Sequence, residues 1–386
     1  MRILLVGDLI LDEPNPDSFF DATRTLLRSG DVVIGHVEVP HSSRSVESSS
    51  DVPAPPADPA HLLALGRAGF HIATLAGNHI FDSGLTGVVD TIDGLRAQGI
   101  RTAGAGRTLD EARAPAIVAA AGVGVGVLSY NCVGPRDSWA GPTKSGCAYV
   151  HVITHYELDH ASPGGPPRTY TFAEPETLEA MQSDVAALTR QVDVTIVALH
   201  KGIGHVPAML AMYERQVARA AIDAGADVVV GHHAHITRGV EWYRSRPVFH
   251  GLGNFVAVTR ALNLEANPSP ARLAWAHRRR QLFGFEPDPA YPTYPFHPEA
   301  KNAFIAVCDV DEDGVRRAGF VPCWIQPSGA PEPLGDDERG RAVASYIEDI
   351  TARAGLRSRF RWDEGMVWFE RWLNRGLASR SPSNCL

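Results

Sequence analysis

Short apolar runs alternate with helix-like segments along much of the chain, and this alternation is the feature that most constrains its fold. The runs at residues 2–7, 31–38, 70–76, 192–199 and 226–231 are each long enough for one buried strand. Strands that alternate with helices form a sheet whose faces the helices cover. The chain is therefore predicted to be an α/β protein.

Other strand-like segments follow one another without a helix between them. Residues 115–130 predict a hairpin joined at Gly122, residues 239–255 a second, and residues 303–325 a third that turns across Glu312–Gly314. Hairpins within an alternating pattern favour a mixed α/β sandwich over a barrel or a Rossmann fold.

Domain organisation follows from the same pattern. Residues 1–330 are predicted to form one catalytic domain with loop insertions at about 133–172 and 258–300, and residues 331–386 a C-terminal helical extension that packs on it. Loops at strand ends shape binding pockets, so we expect the insertions to determine substrate specificity. Their aromatic side chains either line the pocket or pack the insertions onto the sandwich.

The composition excludes several classes of function. A net charge of −8 argues against a protein that binds the phosphate backbone of nucleic acids. Asp8 and Asp12 interrupt the apolar N-terminal run, which therefore resembles neither a membrane anchor nor a signal peptide, and we expect a cytoplasmic protein. Five scattered cysteines form no C-x-x-C pair, so neither a disulfide framework nor a cysteine zinc site is expected.

Polar side chains follow five of the predicted strands at the point where each strand ends. These strand endings are Gly7-Asp8, His36-Val37-Glu38, Gly77-Asn78-His79 with Asp82, His200-Lys201-Gly202, and Gly231 to His235. Ligands of α/β folds bind at such strand ends. Carboxylate, imidazole and amide donors suit a borderline divalent metal such as zinc, manganese or iron.

The last of these endings carries three imidazoles within four residues, directly after a run of valines. Side chains alternate along a strand, so His233 and His235 project to one side, and His36 and Glu38 do the same. Burying polar imidazole rings at the end of a strand costs free energy unless something binds them. We therefore predict a metal site where the five strands end.

In this order the motifs resemble those of the bacterial capsule-synthesis protein CapA family, of the poly-γ-glutamate synthesis type, a branch of the calcineurin-like metallophosphoesterase fold. The resemblance covers roughly residues 1–325. Its motifs are Gly7-Asp8, Val37-Glu38, Asn78-His79 with Asp82 and Gly84, Leu199-His200, Gly231 through His235, and Gly253-Asn254-Phe255. It implies a four-layer αββα sandwich with mixed sheets and two divalent metal ions.

The resemblance also assigns the ligands of the two ions. Asp8 and His235 would hold the first ion, and Glu38 would bridge both. The ligands of the second ion would be Asn78, His200 and His233. Related phosphoesterases carry Asp-x-His in the first motif, whereas this chain has Ile10 in place of that histidine. Either His36 supplies the missing ligand, or the first site is weaker or empty.

The reaction that the resemblance implies is hydrolysis by a metal-activated hydroxide, with His79, positioned by Asp82, protonating the leaving group. The substrate would be a small or peptide-like molecule. A phosphoester and an amide or ester both remain open, because both react through an oxyanion-rich transition state. The alternative is a non-catalytic or accessory component of capsule or poly-γ-glutamate biosynthesis.

Four further side chains near the motifs are predicted to contact the substrate: Lys201, His205, Arg238 and His250. The first two belong to a segment in which the chain departs from the family pattern, so the family's substrate does not transfer. Lys201 is equally well interpreted as a solvated strand-end residue, Arg238 as a surface residue, and His250 as a residue that orients a metal ligand. The oligomeric state stays open, and a homo-oligomer is one alternative.

Overall fold

The computed structural model describes residues 1–48, 55–157, 165–260 and 270–371 of the 386-residue chain. The strands in these ranges are β1 (Arg2–Leu11), β2 (Val32–Val37), β3 (Ile72–Thr74), β4 (Arg101–Ala103), β5 (Ala105–Gly106), β6 (Ala116–Ala120), β7 (Val123–Asn131), β8 (Gly146–Cys147), β9 (Val152–Glu157), β10 (Arg168–Ala173), β11 (Val194–Lys201), β12 (Val228–His233), β13 (Val240–Tyr243), β14 (Arg246–Phe249), β15 (Asn254–Val258), β16 (Asn302–Asp311), β17 (Gly314–Ile325), β18 (Pro331–Pro333), β19 (Ser358–Asp363) and β20 (Met366–Arg371).

Helices lie between many of these strands. The α-helices are α1 (Arg24–Arg28), α2 (Leu63–Ala68), α3 (Gly84–Ala97), α4 (Leu109–Arg113), α5 (Pro175–Leu188), α6 (Met212–Asp223), α7 (Pro270–Phe283) and α8 (Glu338–Arg353). Short 3₁₀ turns occupy Pro16–Phe20, Pro59–Leu62, Arg136–Ser138 and Pro298–Lys301. Within the ranges just given, no helix combines the length and the apolarity that crossing a bilayer requires.

Two mixed sheets form the centre of the fold. The larger has the strand order β19-β20-β17-β16-β1-β2-β3-β4, with β15 beside β1 and β18 beside β17. The smaller has the order β13-β14-β12-β11-β7-β6. Parallel strands β1 to β4 lie together in the first sheet, and β7, β11 and β12 in the second, while hairpin strands extend both.

Alternation of side chains along the strands separates the core into layers. Leu4 of β1 packs in an apolar cluster with α2 and α3, whereas its neighbour Ile3 packs with Ile196 of β11 between the two sheets. On the far side of the smaller sheet, Val197 packs in a third cluster with α5 and α6. The layers are thus helix, sheet, sheet and helix, which confirms the α/β prediction and the implied αββα sandwich.

The three predicted hairpins are present as β6–β7, β13–β14 and β16–β17, each antiparallel. The predicted insertion at 133–172 contains β8, β9 and most of β10, and the one at 258–300 contains α7, which the sequence interpretation did not include. Residues 158–164 and 261–269 of these insertions lie outside the described residues.

The predicted C-terminal helical extension is helical only in part. Helix α8 is present, but β19 and β20 then form a hairpin, and β20 pairs with β17 to extend the larger sheet. Glu364 and Gly365 connect the strands with φ of 54° and 74°, the left-handed pair that a tight hairpin turn requires. Phe360 and Trp362 alternate with arginines along β19, a period-two pattern that indicates a strand. Residues 372–386 lie outside the described residues.

Candidate metal centre

The carboxyl ends of β1, β2, β11 and β12 meet at one edge of the sandwich. Strand register places Asp8 beside His36 in the larger sheet and His200 beside His232 in the smaller one. The two sheets are joined here, because Asp8 Oδ1 lies 3.0 Å from His232 Nδ1. Side chains from distant parts of the chain therefore share one buried region.

Two glycines permit this close approach of strands and loops. A Cβ added at Gly7 would lie 2.0 Å from the carbonyl oxygen of Gly253, and one at Gly231 would lie 2.2 Å from that of His250. With no Cβ at Gly7, the next residue can donate its backbone N–H to the same Gly253 oxygen at 2.9 Å, which holds Asp8 at the strand end.

The first group of donor atoms comes from Asp8, Glu38 and His235. One donor atom of each lies within 4.8 Å of the others. His235 Nε2 lies 3.2 Å from Glu38 Oε1, and His235 Nδ1 lies 3.5 Å from Asp8 Oδ2. Asn254 Oδ1 lies 2.9 Å from the same Nδ1 and orients the ring. Asn254 was part of a sequence motif but had no predicted role.

Glu38 is the strongest indication that this group suits a cation. Its carboxylate is fully buried; Oε1 lies 3.2 Å from His235 Nε2, whereas Oε2 has no hydrogen-bond partner among the described residues. A buried carboxylate without hydrogen-bond donors costs several kcal/mol unless a positive charge lies beside it. Burial raises the pKa of Asp8, and the charge of Glu38 raises it further, to about 7. A divalent cation between the two carboxylates would remove this repulsion, so the residues fit a metal ion.

The second group of donor atoms comes from Asn78, His200 and His233. His200 Nε2 lies 2.7 Å from Asn78 Oδ1 and 3.2 Å from His233 Nδ1. Donor atoms that share one ion are roughly 3 Å apart when each metal–ligand bond is about 2 Å. Burial lowers the pKa of His200 well below its usual value and that of His233 to about 3, so both rings are neutral and keep a lone pair for a metal.

His36 lies between these two groups. Its Nδ1 lies 3.1 Å from Thr74 Oγ1, whereas no described residue forms a hydrogen bond with its buried Nε2. One donor atom each from Asp8, His36 and His200 lies within 4.8 Å of the others. Ile10, at the place of the usual histidine, presents hydrocarbon to the neighbouring cavity. The position of His36 thus agrees with the hypothesis that it replaces that ligand.

His79 and Asp82 form a pair in the loop after β3. His79 Nδ1 lies 2.7 Å from Asp82 Oδ2, and His79 Nε2 lies 2.9 Å from Asn78 Nδ2. The carboxylate favours a proton on Nδ1, and Nε2 faces the side-chain amide of Asn78. Both side chains line the cavity described below.

Three histidines at this edge have backbone conformations that side chains with a Cβ rarely adopt. The φ angles are 60° at His205, 88° at His233 and 52° at His235. Each such residue costs about 1–3 kcal/mol, and such strain concentrates at functional sites, where it directs a side chain. Here it turns the two predicted ligands and His205 towards the same cavity.

A cavity of about 460 Å³ opens beside both donor groups. Glu38, Asn78, His233 and His235 line one side of it, and α7 lines the other. His205 also lines the cavity, as the sequence predicted for a substrate contact. Helix α7 was missed because its arginine-rich segment PARLAWAHRRRQLF has no regular apolar stripe, although the proline at its start is typical of a helix N-terminus.

Three predicted substrate contacts are corrected by the structure. Lys201, Arg238 and His250 are fully buried, and none of them lines the cavity. Lys201 Nζ and Arg238 Nη2 each lie 3.2 Å from a carboxylate oxygen of Glu214, and His250 Nε2 lies 3.1 Å from Glu241 Oε1. Successive side chains on a strand point to opposite faces, so Lys201 points away from the site that His200 faces.

Two residues of the centre had no predicted part in it. His232 Nδ1 lies 3.0 Å from Asp8 Oδ1, and its ring stacks on that of His36 with centroids 4.6 Å apart. Glu214 lies in α6 and neutralises the buried cations beneath the site. The sequence signal for such a residue was the lysine at the end of the strongly apolar strand β11, since a lysine requires a counter-charge when buried.

Comparison with known proteins gives relatives of similar sequence. The chain is 27% identical over 261 residues to the PGA biosynthesis protein CapA of Bacillus subtilis, covering 65% of this chain and 62% of that protein. It is 31% identical over 192 residues to a probable polyglutamine synthesis accessory protein of Mycobacterium tuberculosis, covering 48% of this chain and 45% of that protein. The chain thus spans about half to two thirds of the length of these relatives.

Solved structures of low sequence identity align with much of the chain. A hypothetical protein from Thermus thermophilus aligns with a TM-score of 0.45 and 12% identity, covering 83% of this chain and 98% of that one. A putative 5′-nucleotidase from Staphylococcus aureus aligns with a TM-score of 0.42 and 13% identity, covering 90% and 58%.

A family model described as bacterial capsule synthesis protein PGA_cap matches residues 2–259, which is more than half of the chain and includes every predicted metal ligand. This match confirms the resemblance that the motifs indicated. The chain belongs to the bacterial capsule synthesis protein PGA_cap family.

Proposed function

We propose that the chain is a metal-dependent hydrolase with two divalent ions, manganese, zinc or iron, in the two donor groups. The observation that carries the proposal is the buried Glu38 carboxylate, whose Oε2 has no hydrogen-bond partner among the described residues and which lies beside both a carboxylate and a histidine. Asp8, Glu38 and His235 would hold one ion, with His36 in place of the missing histidine. The other ion would be held by Asn78, His200 and His233, with Glu38 bridging.

The chemistry divides between the ions and the protein. Two divalent ions would supply a water of lowered pKa and positive charge that offsets the negative charge developing on the attacked group. His79 in its protonated form would donate the Nε2 proton to the leaving group, and the Asp82 carboxylate would orient the ring and stabilise its positive charge. His205 would contact the substrate beyond the donors.

The lining of the cavity is compatible with a phosphoester and with an acyl bond. Phosphoryl transfer relies on cationic side chains that clamp the phosphate. Lys201 and Arg238, the two basic residues that follow the motifs most closely, are buried in ion pairs with Glu214 and do not reach the cavity. Arg278 and Arg279 of α7 do line the cavity, so phosphoesters stay beside amides and esters as candidate substrates.

Metal analysis and turnover of matched variants test this proposal. The purified chain is expected to contain up to two equivalents of metal and to hydrolyse members of a panel of p-nitrophenyl esters, anilides and phosphoesters. Glu38→Gln is expected to lose metal, because the bridging charge is removed. His79→Asn is expected to keep its metal while kcat falls by about 10²–10⁴-fold.

His155→Ala serves as the control, because His155 is an exposed residue of β9. It should match the parent chain in metal content and in turnover. Full turnover in His79→Asn, or unchanged metal content in Glu38→Gln, would contradict the assigned roles.

A second candidate function is an accessory, non-catalytic role in polyglutamate or capsule synthesis. It is favoured by the names of relatives, one of which is called a probable polyglutamine synthesis accessory protein. Such a role predicts that the chain binds metal but hydrolyses no member of the panel. It also predicts that a strain carrying His79→Asn keeps the function that a deletion strain loses.

A further inference from the structure

The cavity beside the donor groups has two chemically different sides. One side carries the metal donors and the His79–Asp82 pair. The other comes mainly from α7 and the segment before β16. Its apolar side chains are Ile10, Trp275, Leu282, Phe283 and Phe296. A molecule that fills the cavity therefore contacts hydrocarbon on one side while its reacting bond lies at the donors.

The apolar residues of the cavity lie directly beside the residues that carry the metal donors. The ring centroid of Phe296 lies 4.8 Å from that of His235, and the ring centroid of Phe283 lies 4.8 Å from that of His205. Phe283 and Leu282 keep 39% and 63% of their surface exposed. Apolar side chains left open to a cavity favour a ligand that covers them with apolar surface of its own. A ring or a branched alkyl group close to the reacting bond suits this arrangement.

Two arginines of α7 line the cavity, and they differ in what they offer a ligand. Arg279 is buried, donates to the carbonyl oxygen of Pro295, and lies 5.4 and 5.1 Å from the ring centroids of Trp275 and Phe285. Arg278 is exposed and forms no ion pair with any residue in the described ranges. A guanidinium pairs readily with a carboxylate or a phosphate, so Arg278 can take one anionic group of a ligand.

We infer that the cavity binds a small amide or ester that carries one anionic group and one aromatic or branched apolar group. This inference rests on the proposed hydrolase function. The anionic group would pair with Arg278, the apolar group would cover Phe283, and the bond to be cleaved would face Glu38. A volume of about 460 Å³ suits such a molecule.

Three probes separate the contributions of ring and charge. N-benzoylglycine has both groups, N-acetylglycine lacks the ring, and N-benzoylglycinamide lacks the charge. Binding of each to the metal-loaded full chain is measured by isothermal titration calorimetry at neutral pH, with chromatography to detect cleavage. N-benzoylglycine is expected to bind about tenfold more tightly than N-acetylglycine, since a ring is covered, and about threefold more tightly than the uncharged amide, since the ion pair is partly exposed to solvent.

Variants of α7 assign each preference to a residue. Phe283→Ala is expected to abolish the preference for the probe that carries the ring. Arg278→Ala is expected to abolish the preference for the charged probe, and Arg278→Lys is expected to retain part of that preference. Leu273→Ala and Arg280→Ala are matched controls, because both are exposed on the same helix and neither lines the cavity. The controls should bind all three probes as the parent chain does, and circular dichroism checks that each variant is folded.

The outcomes keep this inference apart from the proposed function. Equal binding of the three probes overturns the inference, even if compounds of the panel are hydrolysed. A charge preference that persists in Arg278→Ala also overturns it, because the carboxylate then binds the metal and not Arg278. If the preferences follow Arg278 and Phe283 while no panel compound is cleaved, the binding site stands and the hydrolase proposal fails.

Discussion

Replacement of Glu214 by glutamine tests how much the ion pairs beneath the metal centre contribute to stability. Glu214 Oε2 lies 3.2 Å from Lys201 Nζ, and its Oε1 lies 3.2 Å from Arg238 Nη2. Oε1 also accepts the backbone N–H of Ala211 at 2.8 Å. Burial alone would raise the pKa of Glu214, but the two cations outweigh it and hold the pKa below its usual value. Glutamine keeps the shape and the contact with Ala211 and removes the charge.

The expected loss follows from leaving two buried cations without their counter-charge. Removing one partner of a buried ion pair costs about 3–5 kcal/mol. Lys201 also donates to the carbonyl oxygen of His250 at 3.1 Å, and Arg238 donates to carbonyl oxygens as well, so the lower end of this range is expected. An unfolding entropy of about 2 cal/mol/K per residue converts a loss of about 3 kcal/mol into a fall in Tm of roughly 4 °C.

Urea unfolding of the metal-free chain, followed by circular dichroism, measures this loss without the stabilisation that a bound ion adds. Glu348→Gln is the matched control, because Glu348 is exposed on α8, and its effect should stay within about 0.5 kcal/mol. If Glu214→Gln costs less than about 1 kcal/mol while Glu348→Gln behaves as expected, the idea that Glu214 neutralises the two buried cations is refuted.

Two further predictions concern the metals directly. His36→Ala removes the side chain proposed to replace the usual histidine of the first motif, so it is expected to weaken metal binding in a competition titration against a chelating dye; an unchanged affinity would count against His36 as a ligand. Removal of metal by dialysis against a chelator is expected to lower Tm, because each ion present at about 100 times its Kd stabilises the folded chain by about 2.7 kcal/mol. Adding back manganese, zinc or iron should restore Tm, and a chain whose Tm is indifferent to all three would argue against a resident metal.

Much of the candidate site could be predicted from the sequence, because strand endings are local features. Apolar runs that end in glycine and a polar residue identify the strands, and parallel strands bring their carboxyl ends to one edge. Asp8, Glu38 and His235 thus come together although they are far apart in the chain. The spacing of His233 and His235 likewise indicated that both face one way, although their left-handed backbone could not be read from composition.

Only the tertiary structure decided which partner Lys201 contacts and which helix lies beside the site. Lys201 follows a predicted ligand, and proximity in sequence suggested the pocket, but alternation turns its side chain towards Glu214 on the opposite face. Helix α7 contributes to the lining of the cavity beside the donors, a placement that its own weak periodicity does not encode. The sequence determines which segments are strands and which residues end them, since those properties are local. Burial and partners depend on contacts between segments far apart in the chain, and these form only when the sheets and helices pack together.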